Sequence, residues 1–146
     1  MLEEELHYLL MLAFHSINRE VIARVRKDGL LPGQPKVLEY LHEHDGCTQK
    51  QLGDGCVLDK STVTGLLARM DRQGLVCKRT APDDRRVALA CLTEEGRAQA
   101  VRVRQGCAAV DTLAWGDITP AQRAAFLQTL RIIILNLQNE GGKNGK

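Results

Sequence analysis

Residues 48–93 of this chain have the sequence TQKQLGDGCVLDKSTVTGLLARMDRQGLVCKRTAPDDRRVALACLT. The segment contains two patterns that begin helices. Thr48 followed by Gln51 matches a capping box, in which two side chains satisfy backbone groups of the first helical turn. Asp59, a preferred N-cap residue, precedes an apolar repeat of helical spacing. Gly-Asp-Gly at residues 53–55 lies between the two patterns and predicts the turn that joins the helices.

Two β-prone stretches follow these helices, at residues 75–79 and 87–92. The polar sequence at residues 81–86, Ala-Pro-Asp-Asp-Arg-Arg, separates them and predicts the tip of a hairpin. A helix pair followed by a two-stranded hairpin is the element order of a winged helix-turn-helix. The predicted fold class is therefore mainly α with a small β-wing.

Long helices are predicted on both sides of this lobe. The first covers residues 2–27, and its apolar side chains recur at spacings of three and four: Leu6, Leu10, Phe14, Ile17, Val21 and Val25. A second helix begins near Pro35 and buries Val37, Leu38 and Leu41. After the hairpin, Thr93 and Thr119 are expected to cap two further helices, the last of them strongly apolar.

Positive charge is concentrated on the segment quoted above. Residues 48–93 carry eight basic and five acidic side chains, whereas residues 1–47 carry five basic and eight acidic ones. A positive field on this segment favours contact with nucleic acid phosphates. Aromatic residues make up only 3% of the chain, which argues against a stacking platform for single strands.

The chain has no sequence feature of a membrane or secreted protein. No apolar run approaches the roughly 18 residues that span a bilayer, and the N-terminus is acidic rather than basic. A cytoplasmic protein without a membrane partner is therefore predicted, and an odd number of cysteines, five, fits a reducing compartment. No Cys or His cluster has zinc-site spacing and no catalytic motif is present. Neither a metal, a cofactor nor an enzyme activity is predicted.

The candidate DNA contacts are polar residues of the two helices that begin at Thr48 and Asp59, and of the hairpin tip. A helix that enters the major groove needs short polar side chains and a few long donors, and an arginine at a hairpin tip suits the narrow minor groove. On the helix that follows Asp59, taken alone, these polar residues fit an ordinary solvent-exposed face equally well. The candidate residues are Thr48, Gln49, Lys60, Ser61, Thr62, Thr64, Arg69, Asp84, Arg85 and Arg86.

Three motifs together carry a family resemblance: DKSTVTGLLARMDRQGLV at residues 59–76, the Asp-x-Arg tip at residues 84–86, and LTEEG at residues 92–96. In these motifs the chain resembles the multiple-antibiotic-resistance regulator (MarR) family of bacterial winged-helix repressors. The resemblance implies a homodimer on a palindromic operator in double-stranded DNA. By position, Arg86 resembles the family's minor-groove arginine and Asp84 the carboxylate that braces it. Ser61, Thr62 and Thr64 fall on the family's base- and phosphate-contacting face.

The resemblance also predicts the domain organisation. One domain is expected over residues 1–140, with a winged helix-turn-helix lobe at 34–93 flanked by N- and C-terminal dimerisation helices at 1–30 and 94–140. Residues 141–146, Gly-Gly-Lys-Asn-Gly-Lys, are expected to form a disordered tail.

An effector pocket is implied between the dimerisation helices and the lobe. Its predicted lining is Tyr8, Met11, His15, Tyr40, His44 and Arg102. Such a mixture favours a small aromatic or anionic effector. The family's peroxide sensors carry a reactive cysteine in the first helix and its zinc sensors a histidine after the wing. Because no Cys precedes Cys47 and no His follows His44, neither mechanism carries over.

The predicted function on these grounds is a sequence-specific, ligand-responsive homodimeric repressor that binds double-stranded DNA. Two alternatives stay open. One is a winged-helix dimer that acts as a protein-interaction module without DNA binding. The other is a thiol-based redox-sensing regulator, for which Cys56 and Cys107 are the first candidates.

Overall fold

A computed structural model describes residues 1–143 of the chain. Six helices and two strands follow one another in the order that the sequence predicts, with short 3-10 turns at Leu2–Glu4 and Arg26–Asp28. The elements are α1 (Leu6–Val25), α2 (Gln34–Glu43), α3 (Gln49–Cys56), α4 (Lys60–Arg72), β1 (Val76–Thr80), β2 (Ala88–Leu92), α5 (Glu94–Trp115) and α6 (Pro120–Lys143). The predicted fold class, mainly α with a small β-wing, is confirmed.

The core of the lobe is aliphatic, as the scarcity of aromatic residues requires. Leu38 and Leu41 of α2, Leu52 of α3 and Met70 of α4 are fully buried, and Leu92 of β2 is 1% exposed. Burying each such side chain contributes about 1.5–3 kcal/mol. One continuous cluster therefore holds α2, α3, α4 and the hairpin together.

The predicted helix starts are present as hydrogen-bonded caps. The backbone N–H of Gln51 donates to the Thr48 hydroxyl at 3.1 Å, and the N–H of Thr48 donates to the Gln51 side chain at 2.9 Å. The N–H of Thr62 donates to the Asp59 carboxylate at 2.8 Å. Similar bonds at Thr93 and Thr119 begin α5 and α6. Each cap satisfies amide groups that the first turn of a helix leaves without an intrahelical partner.

The hairpin is fixed to the rest of the lobe along one edge. Its strands are antiparallel, in a register that runs from Val76 opposite Leu92 to Thr80 opposite Ala88. On the other side of β2, Cys47 pairs with Ala90 through two bonds of 2.7 and 3.3 Å. The wing is thereby joined to the segment immediately before α3, so its orientation relative to the helix pair is set by backbone contacts.

The glycine-rich stretch does not form the turn that the sequence predicts. Residues 53–55 lie inside α3, and the chain turns at Val57, whose φ of 57° and ψ of 50° are left-handed. A Cβ on Gly53 would meet the Leu58 carbonyl oxygen at 3.0 Å, and one on Gly55 would overlap the ring of Tyr40. The two glycines therefore allow close packing. The turn instead uses a β-branched residue, at a cost of roughly 1–2 kcal/mol for the left-handed conformation.

The chain divides into two compact units, residues 1–110 and 111–146, with the boundary inside α5. The single domain over residues 1–140 stays a prediction. The helix α6 also continues through Gly141, Gly142 and Lys143, where a disordered tail was predicted. Helical hydrogen bonding outweighs the unfavourable propensity of the two glycines there, and residues 144–146 lie outside the described part of the chain.

Two of the long helices leave their apolar side chains uncovered. Within α1 only Val25 is buried, and within the described part of α6 no residue is buried. The predicted stripe on α1 is therefore partly exposed. The large hydrophobic residues of these two helices that are at least 40% exposed are Leu6, Leu9, Met11, Leu12, Phe14, Ile17, Phe126, Ile132, Ile134, Leu135 and Leu137. No helix within residues 1–143 is both long and apolar enough to cross a membrane.

Candidate nucleic-acid interface and effector cavity

Helix α4 presents one apolar and one polar face. Val63, Leu67 and Met70 are buried in the lobe, and Leu66 is half-buried against the same core. The opposite face is exposed to solvent and consists of Lys60, Ser61, Thr62, Thr64, Gly65, Ala68 and Arg69. The predicted division of this helix is confirmed, and its outward face has the side-chain chemistry that a major-groove helix needs.

Asp59 organises the polar side chains at the start of α4. The Ser61 hydroxyl donates to the Asp59 carboxylate at 2.8 Å, as does the Thr62 backbone N–H. The Thr62 backbone bond, followed by the Ser61 and Thr62 hydroxyls, lowers the pKa of the Asp59 carboxyl. A fixed carboxylate therefore orients both hydroxyls before any ligand arrives.

Thr64 links α4 to α3. Its hydroxyl lies 2.9 Å from the Lys60 carbonyl oxygen and 3.3 Å from the side-chain oxygen of Gln49. Gln49 and Thr48, both predicted as DNA contacts, are half-buried, and the Thr48 hydroxyl is engaged in the cap of α3. The structure therefore places these two residues beside the exposed face of α4, with the Thr48 hydroxyl and the Gln49 side-chain oxygen already partnered inside the lobe.

Asp84 holds Arg86 at the tip of the wing. The Arg86 Nε and Nη2 atoms lie 3.1 and 3.3 Å from the two Asp84 carboxylate oxygens, and the Arg86 backbone N–H donates to the same carboxylate at 3.0 Å. The Arg86 side chain is 90% exposed. These bonds, the side-chain pair first, lower the pKa of the Asp84 carboxyl. The bracing geometry implied by the family resemblance is present, and the neighbouring Arg85 is also exposed.

A cavity of about 320 Å³ lies between α2, α3 and α5. It is lined by Lys36, Glu39, Tyr40, Glu43, His44, Gly55, Cys56 and Arg104. The Tyr40 and His44 rings stack at 4.5 Å between centroids, tilted by 35°. The cavity therefore offers an aromatic wall surrounded by charged groups of both signs.

The charges around this cavity are unequally paired. Arg104 lies 3.9 Å from a Glu39 oxygen and 3.4 Å from a Glu43 oxygen, so two carboxylates neutralise it. Among residues 1–143, Lys36 makes no ion pair, and its Nζ lies 5.1 Å from the centroid of the Phe14 ring. Of the two cations that line the cavity, Lys36 is therefore the one available to an anionic ligand.

Two of the six predicted pocket residues line this cavity, Tyr40 and His44. Arg102 does not, and Arg104 takes the place predicted for it, because a helix turns by about 100° per residue and two residues therefore face different directions. Tyr8, Met11 and His15 of α1 are also absent from the lining. Sequence reasoning missed Lys36, Glu39 and Glu43, although they follow one another at spacings of three and four, which place residues on one helical face.

The cysteines proposed for redox sensing have unfavourable surroundings. Cys56 lies in the cavity wall, and burial raises the pKa of its thiol to about 11. A reactive cysteine requires the opposite shift, towards the thiolate. The Cys107 sulfur lies 3.8 Å from a Glu39 carboxylate oxygen, an anionic neighbour that does not favour a thiolate. In residues 1–143 no group of three or more Cys, His, Asp or Glu side chains is arranged to hold a metal ion.

Comparison with known proteins agrees with this geometry. A model of the MarR family matches residues 28–87. The organic hydroperoxide resistance transcriptional regulator of Bacillus subtilis (strain 168) is 33% identical over 95 residues, which is 65% of each chain. The alignment thus spans slightly less than two thirds of that relative's length.

Two solved structures match over almost the whole chain. A MarR-family transcriptional regulator from Silicibacter pomeroyi superimposes with a TM-score of 0.83 at 28% identity, covering 93% of this chain and 92% of the other. BpsR of Bordetella bronchiseptica, whose DNA binding is regulated by 6-hydroxynicotinic acid, superimposes with a TM-score of 0.78 at 25% identity, covering 89% and 93%. The fold, the family model and these relatives support a winged-helix regulator of the MarR family.

Proposed function

We propose that this chain is a homodimeric repressor that binds a palindromic site in double-stranded DNA and releases it when a small aromatic acid occupies the cavity beside Tyr40. The observation that carries the proposal is the combination of an exposed polar face on α4 with an exposed Arg86 fixed at the wing tip. These are the two parts of a reader of adjacent major and minor grooves.

The side chains of the interface suit separate tasks. Ser61, Thr62 and Thr64 are short and partly oriented by Asp59 and Gln49, which suits contacts with base edges or phosphates. Lys60 and Arg69 make no ion pair among residues 1–143, so their charges are available to phosphates. Arg86, held by Asp84, pays little conformational entropy on entering a minor groove.

The uncovered helices support a dimer. The five large apolar residues exposed on α6 and the six on α1 are more than an isolated soluble chain ordinarily leaves in water. A second copy of the chain is the proposed occupant, because a palindromic DNA site calls for two equivalent lobes.

The cavity beside Tyr40 is the proposed effector site. Its volume of about 320 Å³ suits a molecule of one aromatic ring. The stacked rings of Tyr40 and His44 offer an apolar surface, and Lys36 offers the unpaired cation for a carboxylate or phenolate. BpsR responds to 6-hydroxynicotinic acid, an aromatic acid, which agrees with this ligand class.

Binding to a fluorescent duplex of random sequence tests the DNA-binding part first. We expect measurable affinity at low salt, with a logarithmic dependence on salt whose slope reports several phosphate contacts. A winged-helix dimer that serves only as a protein-interaction module would show no such binding at any salt concentration. That result would replace the proposal with the alternative.

A further inference from the structure

Tyr40 occupies the space that a side chain at Gly55 would fill. A Cβ built on Gly55 would overlap the ring edge, with the Tyr40 Cζ and Cδ2 atoms at 2.6 and 2.7 Å. Tyr40 belongs to α2 and Gly55 to the last turn of α3, and both line the cavity. The ring is therefore packed directly on the backbone of α3, where a movement of one displaces the other.

The last turn of α3 connects directly to the start of α4. Val57, two residues after Gly55, holds a left-handed backbone conformation that a β-branched residue rarely adopts. The Leu58 N–H donates to the Gly53 carbonyl oxygen at 2.9 Å, and Asp59 then caps α4. Only a short, strained turn thus separates the backbone under the Tyr40 ring from the polar side chains of α4.

We propose that Tyr40 is a positioning residue that transmits occupancy of the cavity to the DNA-reading helix: a flat ligand against its ring shifts the last turn of α3 through Gly55 and so moves the start of α4. This inference rests on the proposed function for the ligand and for DNA. The mechanical link between Tyr40, Gly55 and the α3–α4 turn does not depend on either of them.

The charged groups around the Tyr40 ring determine how an anionic ligand is oriented in the cavity. Lys36 and Arg104 supply positive charge, and Glu39 and Glu43 supply negative charge. Because both carboxylates already face Arg104, Lys36 is the cation left for an anion bound beside the Tyr40 ring. Gly55 thus has a role other than the turn that was predicted for it, because its missing side chain lets the Tyr40 ring contact the backbone of α3.

Substitutions at the contact test this link without requiring a ligand. The variants are Gly55→Ala, Tyr40→Ala and the double variant Tyr40→Ala/Gly55→Ala. Gly106→Ala is the matched control, since it adds the same methyl group to a helix but its nearest neighbour, a Val25 methyl carbon, is 3.8 Å away. Amide hydrogen exchange at residues 57–62 is the primary measurement, with duplex affinity and thermal unfolding measured on the same samples.

In Gly55→Ala we expect exchange at residues 57–62 to accelerate about tenfold and duplex affinity to fall about tenfold, within the usual range of coupling between sites. Tyr40→Ala should accelerate exchange at the same amides. The double variant should return both quantities towards wild type, because the new methyl group takes the space that the ring leaves. Gly106→Ala should leave both unchanged.

Exchange that changes only within α2 and α3, with residues 57–62 at the wild-type rate, would overturn the inference. A double variant no closer to wild type than Gly55→Ala would also overturn it. If Gly55→Ala does not fold, the exchange rates of residues 57–62 in Tyr40→Ala alone decide whether the inference holds. A wild-type protein that binds no duplex would refute the proposed function, while the exchange rates would still decide the link. Because the Tyr40 ring is part of the proposed binding surface, salicylate is added to the double variant at a concentration that saturates its own binding. It should then no longer release the duplex, and wild-type release would show that Tyr40 is not the route.

Discussion

Arg86 and Asp84 form a two-contact ion pair on the surface of the wing, with Nε–Oδ1 and Nη2–Oδ2 distances of 3.1 and 3.3 Å. A surface pair of this kind contributes little to folding. The pair instead holds the exposed Arg86 guanidinium in one orientation. A fixed orientation matters for binding a partner outside the lobe.

Arg86→Ala should therefore weaken duplex binding strongly while leaving thermal unfolding unchanged. The expected loss is roughly tenfold or more, the usual cost of losing one well-placed arginine contact. Asp84→Ala should weaken binding less, because the arginine remains but is no longer held. Unchanged affinity of Arg86→Ala at physiological salt, measured by fluorescence anisotropy, would exclude the wing as a DNA contact.

The double change Thr62→Ala and Thr64→Ala tests the exposed face of α4. Both residues lie on the solvent side of the helix, opposite the buried Met70. If they contact bases, affinity for the preferred site should fall about tenfold while affinity for random duplex falls much less, because base contacts specify and phosphate contacts position. Equal losses on both duplexes would mean that these residues do not distinguish sequences.

The lobe was largely predictable because its signals are local. The caps at Thr48 and Asp59, the apolar spacing of α4 and the hairpin each depend on a few neighbouring residues. The cavity was predictable only in part, since its lining depends on how three helices face one another. Arg102 and Arg104 are two residues apart on α5 and face different directions, and of the two only Arg104 lines this cavity.

The glycines of α3 show why local signals also mislead. Gly53 and Gly55 indicated a turn, but the structure uses them for close contact with Leu58 and Tyr40. The need for close contact at Gly55 comes from Tyr40, which is distant in the sequence. At Gly53 it comes from Leu58, which lies beyond the turn. Composition alone does not distinguish a glycine needed for its backbone freedom from one needed for its lack of a side chain.

Self-association should depend on the apolar surface of α6. The wild-type chain is expected to sediment at about twice its monomer mass of 16.2 kDa. Leu135→Glu, at a residue 56% exposed in the single chain, should shift the protein towards monomer by burying a charge in the interface. Gln128→Glu adds the same charge at an exposed polar position of the same helix and is the control. A stable wild-type monomer at micromolar concentration would contradict the dimer.

The effector should be an aromatic acid rather than an oxidant or zinc. Salicylate is expected to release the duplex, and Lys36→Met should weaken salicylate binding about tenfold by removing the unpaired cation. Lys27→Met, which removes an exposed lysine outside the cavity lining, should have no effect. Release by mild peroxide that a Cys56→Ser or Cys107→Ser change abolishes would instead establish the thiol-based alternative.

The free energy of unfolding should depend on the Asp59 cap as the pH falls below the usual carboxyl pKa of 3.8. Its bond to the Thr62 N–H lowers the pKa of the carboxyl below its usual 3.8, so the cap contributes fully above that value and is lost as pH falls through the folded-state pKa. Asp59→Ser keeps an acceptor that does not titrate. The difference in unfolding free energy between wild type and this variant, measured by urea unfolding, should shift against wild type as pH falls. A difference that is independent of pH would contradict the assigned role of the carboxylate.

Selection of duplexes from a randomised library by the wild-type protein tests the central claim most directly. If two lobes read DNA through α4 and Arg86, the enriched duplexes should contain an inverted repeat whose half-sites lie about 10 base pairs apart, one helical turn. The selected duplex should also bind at least about a thousandfold more tightly than random sequence at physiological salt. Enrichment of no common sequence, or of one without two-fold symmetry, would contradict a dimeric sequence-specific regulator.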